Sequence, residues 1–197
     1  IKGVGEQAMQ SVIDSRINEG PYKDLFDFCH RIDLKKINKR TLEALIRAGA
    51  LDCLGIERSS LMAQLPEAVQ AAEQARSNRE TGIMDLFGEV EEVQRKPAKP
   101  VKPWSDEVRL KVEKDTLGLY LTGHPIDVYR SELKAFIPAK LNEVTPTRRG
   151  VTTVFAGLVL DVANFPNRIM ITLDDGTARI EISCNHERFQ RYKEIVR

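Results

Sequence analysis

A polar stretch in the middle of the chain, residues 81–103, separates two regions with different apolar periodicity. It ends in K-P-A-K-P-V-K-P, and prolines at this density favour an extended, hydrated backbone over a packed element. Before it, apolar residues recur at helical spacing, whereas from Thr152 onwards they alternate as in β-strands. The pattern predicts an α+β protein whose helical and β regions are separate.

The 197 residues are enough for two or three small domains. We expect an all-α module at 1–80, a linker at 81–103, a helical connector at 104–145 and a β domain at 146–197. Three alternating segments and a final helix give the last part the pattern of a three-strand meander that opens a small OB-type barrel. Because the chain begins on Ile1 and stops within this barrel, we expect it to be a piece of a longer protein.

Local signals predict where several helices begin and end. Asn38 should precede a helix that Gly49 closes. Ser59 and Ser60 should cap the next helix, which Pro66 is expected to break or kink.

In the connector, Ser105 should cap a helix that continues to the stop signal Gly123-His-Pro. Pro125 should then begin a helix whose apolar stripe is Ile126, Tyr129, Leu133 and Phe136.

The first six residues, I-K-G-V-G-E, have the pattern of the turn in a helix-hairpin-helix motif. Its glycines let a phosphate approach the backbone, and the helix that follows offers free N–H groups and a positive dipole end. Such contacts read no base sequence. An ordinary glycine-rich helix cap explains the same residues, so both interpretations stay open. The candidate DNA-binding residues are Lys2, Gly3, Val4 and Gly5.

A second segment, L-K-K-I-N-K-R-T from Leu34 to Thr41, repeats this geometry. Cations at the start of a helix oppose its dipole unless an anion arrives there. Asn38 stands where a glycine is expected, so a purely structural role stays open. The DNA-binding candidates are Lys35, Lys36, Asn38, Lys39 and Arg40.

An apolar knot, I-M-D-L-F, lies within the polar stretch. No flanking periodicity supports a core segment, and a chance exposed patch would invite association. A short linear motif that docks into a pocket of a partner fits best, with Leu86 and Phe87 as anchors. The candidate residues are Ile83, Met84, Asp85, Leu86 and Phe87.

OB-type barrels bind single strands through aromatic stacking and basic grooves. Aromatic residues are sparse in the β region, and Phe155 is equally explained as a packing residue. The single-strand candidates are Phe155, Phe165, Arg168 and Arg179.

Composition limits the classes of function that the chain can have. Lys plus Arg total 30 against 29 for Asp plus Glu, so DNA binding would require a local patch. Three scattered cysteines indicate a reducing, cytoplasmic setting, and no apolar run is long enough for a membrane span. No catalytic, cofactor or metal pattern is present, and a β-turn explains Asp174-Asp-Gly better than a metal loop.

Several longer runs together resemble the C-terminal half of the bacterial replicative DNA polymerase III α subunit, in the right order and over essentially the whole chain. They are I-K-G-V-G-E, N-K-R-T-L-E-A-L-I-R-A-G-A-L-D, D-L-F-G, T-L-G-L-Y-L-T-G-H-P-I, P-T-R-R-G and A-G-L-V. T-L-G-L-Y-L-T-G-H-P-I is the most specific of them.

The resemblance implies a tandem helix-hairpin-helix module on duplex primer-template DNA and an OB domain near the single-stranded template. It implies that residues 83–87 bind the β sliding clamp, although the family motif usually begins with glutamine and Ile83 stands here. It also implies other replicase subunits as partners, and a catalytic centre with Mg²⁺ outside this chain. The alternatives are a non-catalytic repair or recombination scaffold, or an intact nuclease or transferase.

Overall fold

The computed structural model describes residues 1–80, 101–137, 139–144 and 152–194. These residues divide into two compact units, residues 1–120 and residues 121–197. The described part of the first unit is helical, and the second contains an antiparallel three-stranded sheet. The predicted α+β class is therefore confirmed.

Five α-helices form the first unit within the described residues. They are α1 (Glu6–Glu19), α2 (Leu25–Arg31), α3 (Lys39–Arg47), α4 (Arg58–Glu80) and α5 (Asp106–Leu117), with a 3₁₀ turn at Asp52–Leu54. The side chain of Asp24 caps α2 by accepting the Asp27 N–H at 2.8 Å. Helix α3 begins directly after Asn38, which caps it, and is followed by Gly49 with a φ of 78°, so both predicted boundaries are confirmed.

Helices α2, α3 and α4 enclose the apolar core of this unit. Its fully buried side chains include Leu25, Phe28, Ile37, Leu42, Ile46, Leu61 and Leu65. Helix α1 buries only Ala8, and its Ile17 is 71% exposed. Two residues of the α1–α2 region attach α1 to this core: Tyr22 donates to the Val12 carbonyl at 2.7 Å, and Arg31 donates to the Ser15 carbonyl at 2.9 Å.

Helix α4 corrects two expectations. It begins at Arg58, so Ser59 and Ser60 lie inside its first turn and do not cap it. It also continues through Pro66 for 23 residues. Proline removes one helical hydrogen bond, but the burial of Leu65 and Ala68 beside it keeps this part of α4 packed on the core.

Helix α5 begins, as predicted, after Ser105, whose hydroxyl accepts the Val108 N–H at 3.3 Å. It ends at Gly118, with a φ of 82°, and not at Gly123 as expected, because a left-handed glycine terminates it earlier. The sequence assigned residues 104–145 to a connector, whereas the structure groups α5 with the first unit and residues 121–144 with the second.

The second unit begins with short helical turns and continues into the sheet. Its elements are the 3₁₀ turn Pro125–Tyr129, α6 (Arg130–Leu133), the 3₁₀ turn Leu141–Glu143, β1 (Leu158–Phe165), β2 (Arg168–Asp174), β3 (Arg179–Cys184) and α7 (His186–Tyr192). The strands pair antiparallel in the order β1-β2-β3, which confirms the meander. Its assignment to the OB fold stays a prediction, since the three strands form an open sheet.

The apolar stripe predicted after Pro125 is wrong. Pro125 begins a 3₁₀ turn, and only Ile126 of the stripe is buried. Tyr129 is 59% exposed and Phe136 is 80% exposed. The core of this unit instead lies under β2, where Ile169, Ile171 and Leu173 alternate inward and Leu141 packs against them.

The Asp174-Asp-Gly segment is a turn, as predicted, and its carboxylates accept hydrogen bonds from the protein itself. Asp174 accepts the Gly176 N–H at 2.8 Å, and Asp175 accepts the Leu141 N–H at 2.9 Å. His124 packs on the same turn, with its Nε2 3.4 Å from an Asp174 oxygen. Within the described ranges, no group of His, Cys, Asp or Glu has the arrangement of a metal site.

We expect Asp175 to make the second unit sensitive to acid. Burial raises the pKa of its carboxyl, but hydrogen bonds from Thr177, Leu141 and Ala178 outweigh this and lower the pKa to about 2 from 3.8. The charged form is therefore favoured by folding. Its contribution, about 2 kcal/mol, is complete above pH 4 or so and disappears as pH falls towards about 2.

Hydrogen-exchange protection of the β-strands, measured from neutral pH to about pH 3, checks this expectation. Asp175→Asn should lower protection at neutral pH and flatten its acid dependence. Asp161→Asn, on the exposed part of β1, is the matched control and should behave as the unchanged chain. An unaltered acid profile in Asp175→Asn would contradict the assignment.

Candidate nucleic-acid interface

The turn before α1 leaves the start of that helix open. Val4 donates its N–H to the Ile1 carbonyl at 3.3 Å, and Gly3 has a φ of 78°, which favours glycine there. Gly5 precedes α1 in an extended conformation and supplies no side-chain cap. Atoms added at either glycine would meet nothing within 4 Å. An anion can therefore approach the first N–H groups of α1.

The second candidate segment is the turn between α2 and α3. The Asp33 carbonyl accepts the N–H groups of Lys36 and Ile37, both at 2.9 Å, and its carboxylate accepts the Lys35 N–H at 3.1 Å. Ile37 is completely buried and fixes the turn on the core. Helix α2, this turn and α3 follow one another in the order helix, turn, helix.

Asn38 has a defined structural role at this turn. Its side-chain oxygen accepts the Thr41 N–H at 2.9 Å and lies 3.2 Å from the Thr41 hydroxyl. This satisfies one free N–H at the start of α3. The backbone N–H groups of Lys39 and Arg40 receive no such side-chain cap. Asn38 therefore works as a cap in place of the expected glycine.

The cations of the second turn face solvent. Lys35, Lys36, Lys39 and Arg40 are all exposed. Lys36 lies 4.0 Å from an Asp33 oxygen, and the other three form no ion pair with any residue that the structure describes. Two of them, Lys39 and Arg40, occupy the first positions of α3, where the helix dipole disfavours cations. A phosphate bound here would pair with these cations and would also offset their unfavourable interaction with the helix dipole.

Comparison with known proteins places these turns in a family context. Residues 1–61 match the model of the helix-hairpin-helix motif. The DNA polymerase III subunit alpha of Vibrio cholerae is 45% identical over 98% of this chain and 17% of its own length. Those of Pseudomonas aeruginosa and Escherichia coli K12 are 43% and 40% identical over 100% of the chain. The chain is a relative of the DNA polymerase III alpha subunit.

This relationship confirms the resemblance carried by the sequence runs and covers one part of the family's protein. The chain spans less than a fifth of the length of these relatives, 17% to 19%. The helix-hairpin-helix match covers both candidate turns, since they lie within residues 1–61. The individual DNA-binding residues stay predictions.

The four single-strand candidates do not form one patch. Phe155 packs against the core of the second unit, as its alternative interpretation holds. Phe165 is 46% exposed and pairs with Arg168 at one end of β1 and β2, where the guanidinium lies 5.9 Å from the ring centre. Arg179 lies at the other end of β2 and bonds Asp174 at 2.7 Å. Only Phe165 and Arg168 are brought together, and single-strand binding stays a prediction.

The clamp candidates Ile83 to Phe87 lie outside the described residues.

Among the helices that the structure describes, none is both long and apolar enough to span a membrane. Arg79, at the end of α4, was not among the predicted site residues, and the structure brings it against His30 at the end of α2. The signal was present, since Arg79 continues the spacing of the buried face of α4.

Proposed function

We propose that this chain is the duplex-gripping and clamp-attaching part of a replicative DNA polymerase III alpha subunit. The exposed second turn carries the proposal, because Lys39 and Arg40, which form no ion pair among the described residues, and their uncapped N–H groups lie at the start of one helix. This arrangement suits a phosphate and reads no base. The match of residues 1–61 to the helix-hairpin-helix motif supports the same function.

Two further elements complete the proposal. Residues 83–87 attach the polymerase to its β sliding clamp, and the second unit lies near the single-stranded template. Nucleotidyl transfer and its Mg²⁺ belong to a catalytic centre elsewhere in the longer protein, together with contacts to other replicase subunits. The chain's own contribution is to hold primer-template DNA and the clamp in the cytoplasm while synthesis proceeds.

Charge reversal in the two turns tests the DNA grip. Changing Lys2, Lys39 and Arg40 to Glu should weaken binding to a short duplex, because three phosphate contacts are lost. The slope of log affinity against log salt should become shallower by about 3, since each contact contributes roughly 0.9. Fluorescence anisotropy from about 50 to about 200 mM salt measures both quantities.

The control changes the same net charge at exposed cations of the same unit. Arg16, Arg47 and Lys111 are exposed, and none forms an ion pair within the described residues. Their reversal to Glu should leave the salt slope nearly unchanged. Equal losses in both triple variants would mean a diffuse charge effect and would contradict the assignment to the two turns.

A further inference from the structure

The buried face of α4 ends in two arginines. Leu61, Leu65, Ala68 and Ala72 follow one another at three- and four-residue spacing and are all buried in the core. Arg76 and Arg79 continue the same spacing, so they project from the core-facing side of the helix. Since α4 packs mainly on α2, this side meets the end of α2 and the turn that follows it.

The contacts of both arginines confirm this placement. Arg76 Nη1 donates to an Asp33 oxygen at 3.1 Å, and Arg79 Nη2 lies 2.7 Å from His30 Nε2. Asp33 belongs to the second helix-hairpin-helix turn, and His30 to the last turn of α2. The C-terminal end of α4 is therefore adjacent to the end of α2 and to the beginning of the second turn.

The two arginines differ in charge compensation. Arg76 is paired with Asp33 at 3.1 Å and with Glu80 at 3.3 Å. Arg79 contacts a histidine and forms no ion pair within the part of the chain that the structure describes. A guanidinium has only donors, so His30 Nε2 is the acceptor in this contact. His30 thus orients Arg79 without cancelling its charge.

We propose that Arg79, oriented by His30, is a further phosphate-contacting residue that extends the second turn onto α4. Arg79 is exposed, as are Lys35 and Lys36 in the turn, and the Arg76–Asp33 pair connects its end of α4 to that turn. Its partner is the sugar-phosphate backbone of duplex DNA, which a guanidinium binds through two parallel hydrogen bonds. The inference rests on the proposed function, because it adds a contact to the same DNA grip.

A structural role for Arg79 makes a different prediction. A cation in the last turn of a helix stabilises the helix dipole, whether or not DNA binds. Loss of Arg79 would then change thermal stability but not the salt dependence of DNA affinity. The two roles are separated by measuring both in the same variant.

The test is Arg79→Gln, with duplex affinity measured by anisotropy from about 50 to about 200 mM salt. We expect an affinity loss of about three- to tenfold and a slope shallower by about 0.9. Arg47→Gln is the matched control, because Arg47 is exposed at the end of α3 opposite the second turn. It should leave affinity and slope unchanged.

Variants of His30 test orientation. His30→Ala should weaken binding with Arg79 still present, and His30→Gln should restore much of it, because the Gln oxygen can accept the same hydrogen bond. An Arg79→Gln slope equal to that of Arg47→Gln overturns the inference. If the Lys2/Lys39/Arg40 reversal also leaves affinity unchanged, the proposed function fails as well. If that reversal weakens binding while Arg79→Gln does not, only the role of Arg79 fails.

Discussion

Replacing Glu113 with alanine should lower the free energy of unfolding of the first unit by about 3 kcal/mol, because it leaves a buried cation without the buried one of its two carboxylate partners. Glu113 is completely buried on α5, and an oxygen of its carboxylate lies 2.8 Å from Nη1 of Arg58 on α4. Arg58 itself is only 6% exposed. Urea unfolding followed by circular dichroism gives the free energy directly.

Arg58 is fixed from several sides. It bonds both oxygens of Asp52, at 2.8 and 2.6 Å, and also donates to the Arg47 carbonyl at 3.3 Å. Hydrogen bonds to Asp52 and then to Glu113 raise the pKa of Arg58 against the opposing effect of burial. The guanidinium fills the space where a Cβ at Gly49 would lie, so a glycine must stand there. Arg58 therefore stays charged and cannot turn towards solvent when Glu113 is lost.

Two variants separate this explanation from a general loss of packing. Asp52→Ala removes a carboxylate whose side chain is 47% exposed, so water can replace it and a smaller loss is expected. In Arg58→Met with Glu113→Leu, both charges are replaced by apolar groups, and much of the stability should return. A Glu113→Ala protein as stable as the unchanged chain would show that the pair does not anchor α5.

The Arg58–Glu113 ion pair joins α4 and α5, and this alters how the central polar stretch between them is interpreted. The sequence suggests a linker between two modules, since the apolar periodicity changes across it. The structure places α4, which ends at Glu80, and α5, which begins at Asp106, in one unit. Residues 81–105 therefore join two helices of the same unit.

Local signals predicted much of the fold, and the misses have physical causes. The caps at Asn38 and Ser105 and the meander were predictable because each depends on a few neighbouring residues. The continuity of α4 through Pro66 was not, because burial of Leu65 and Ala68 outweighs the local cost of proline. The place of α5 depends on an ion pair between residues 55 positions apart, which no periodicity reveals.

Some residues of the candidate site could likewise be predicted from the sequence, and others could not. The glycines and cations of the two turns could be predicted as motifs, because the residues of each turn are neighbours in the sequence. The distance between Arg168 and Arg179 on the sheet follows from strand register, and the approach of Arg79 to His30 follows from helix packing. Such relationships between distant residues need the structure.

Changing Leu86 and Phe87 to alanine should reduce affinity for the sliding clamp by about two to four orders of magnitude. Each bulky side chain contributes roughly 1.5–3 kcal/mol when buried in a partner's pocket, and alanine supplies little of this. Surface plasmon resonance on immobilised clamp measures the affinity of the chain. Binding to duplex DNA should not change, because the two turns are intact.

Three comparisons make this prediction specific to the motif. Val93→Ala alters an apolar residue of the same polar stretch outside the motif and should leave clamp affinity unchanged. Ile83→Gln restores the glutamine of the family pattern and should strengthen binding. The isolated peptide should bind at only about micromolar strength, since the entropy lost in ordering an extended segment offsets part of the free energy gained by burial.

On primed DNA the whole chain should bind the clamp more tightly than the peptide, because DNA bound by the two turns raises the effective concentration of the motif. Equal affinities would separate clamp attachment from DNA binding and contradict a shared role in processive synthesis.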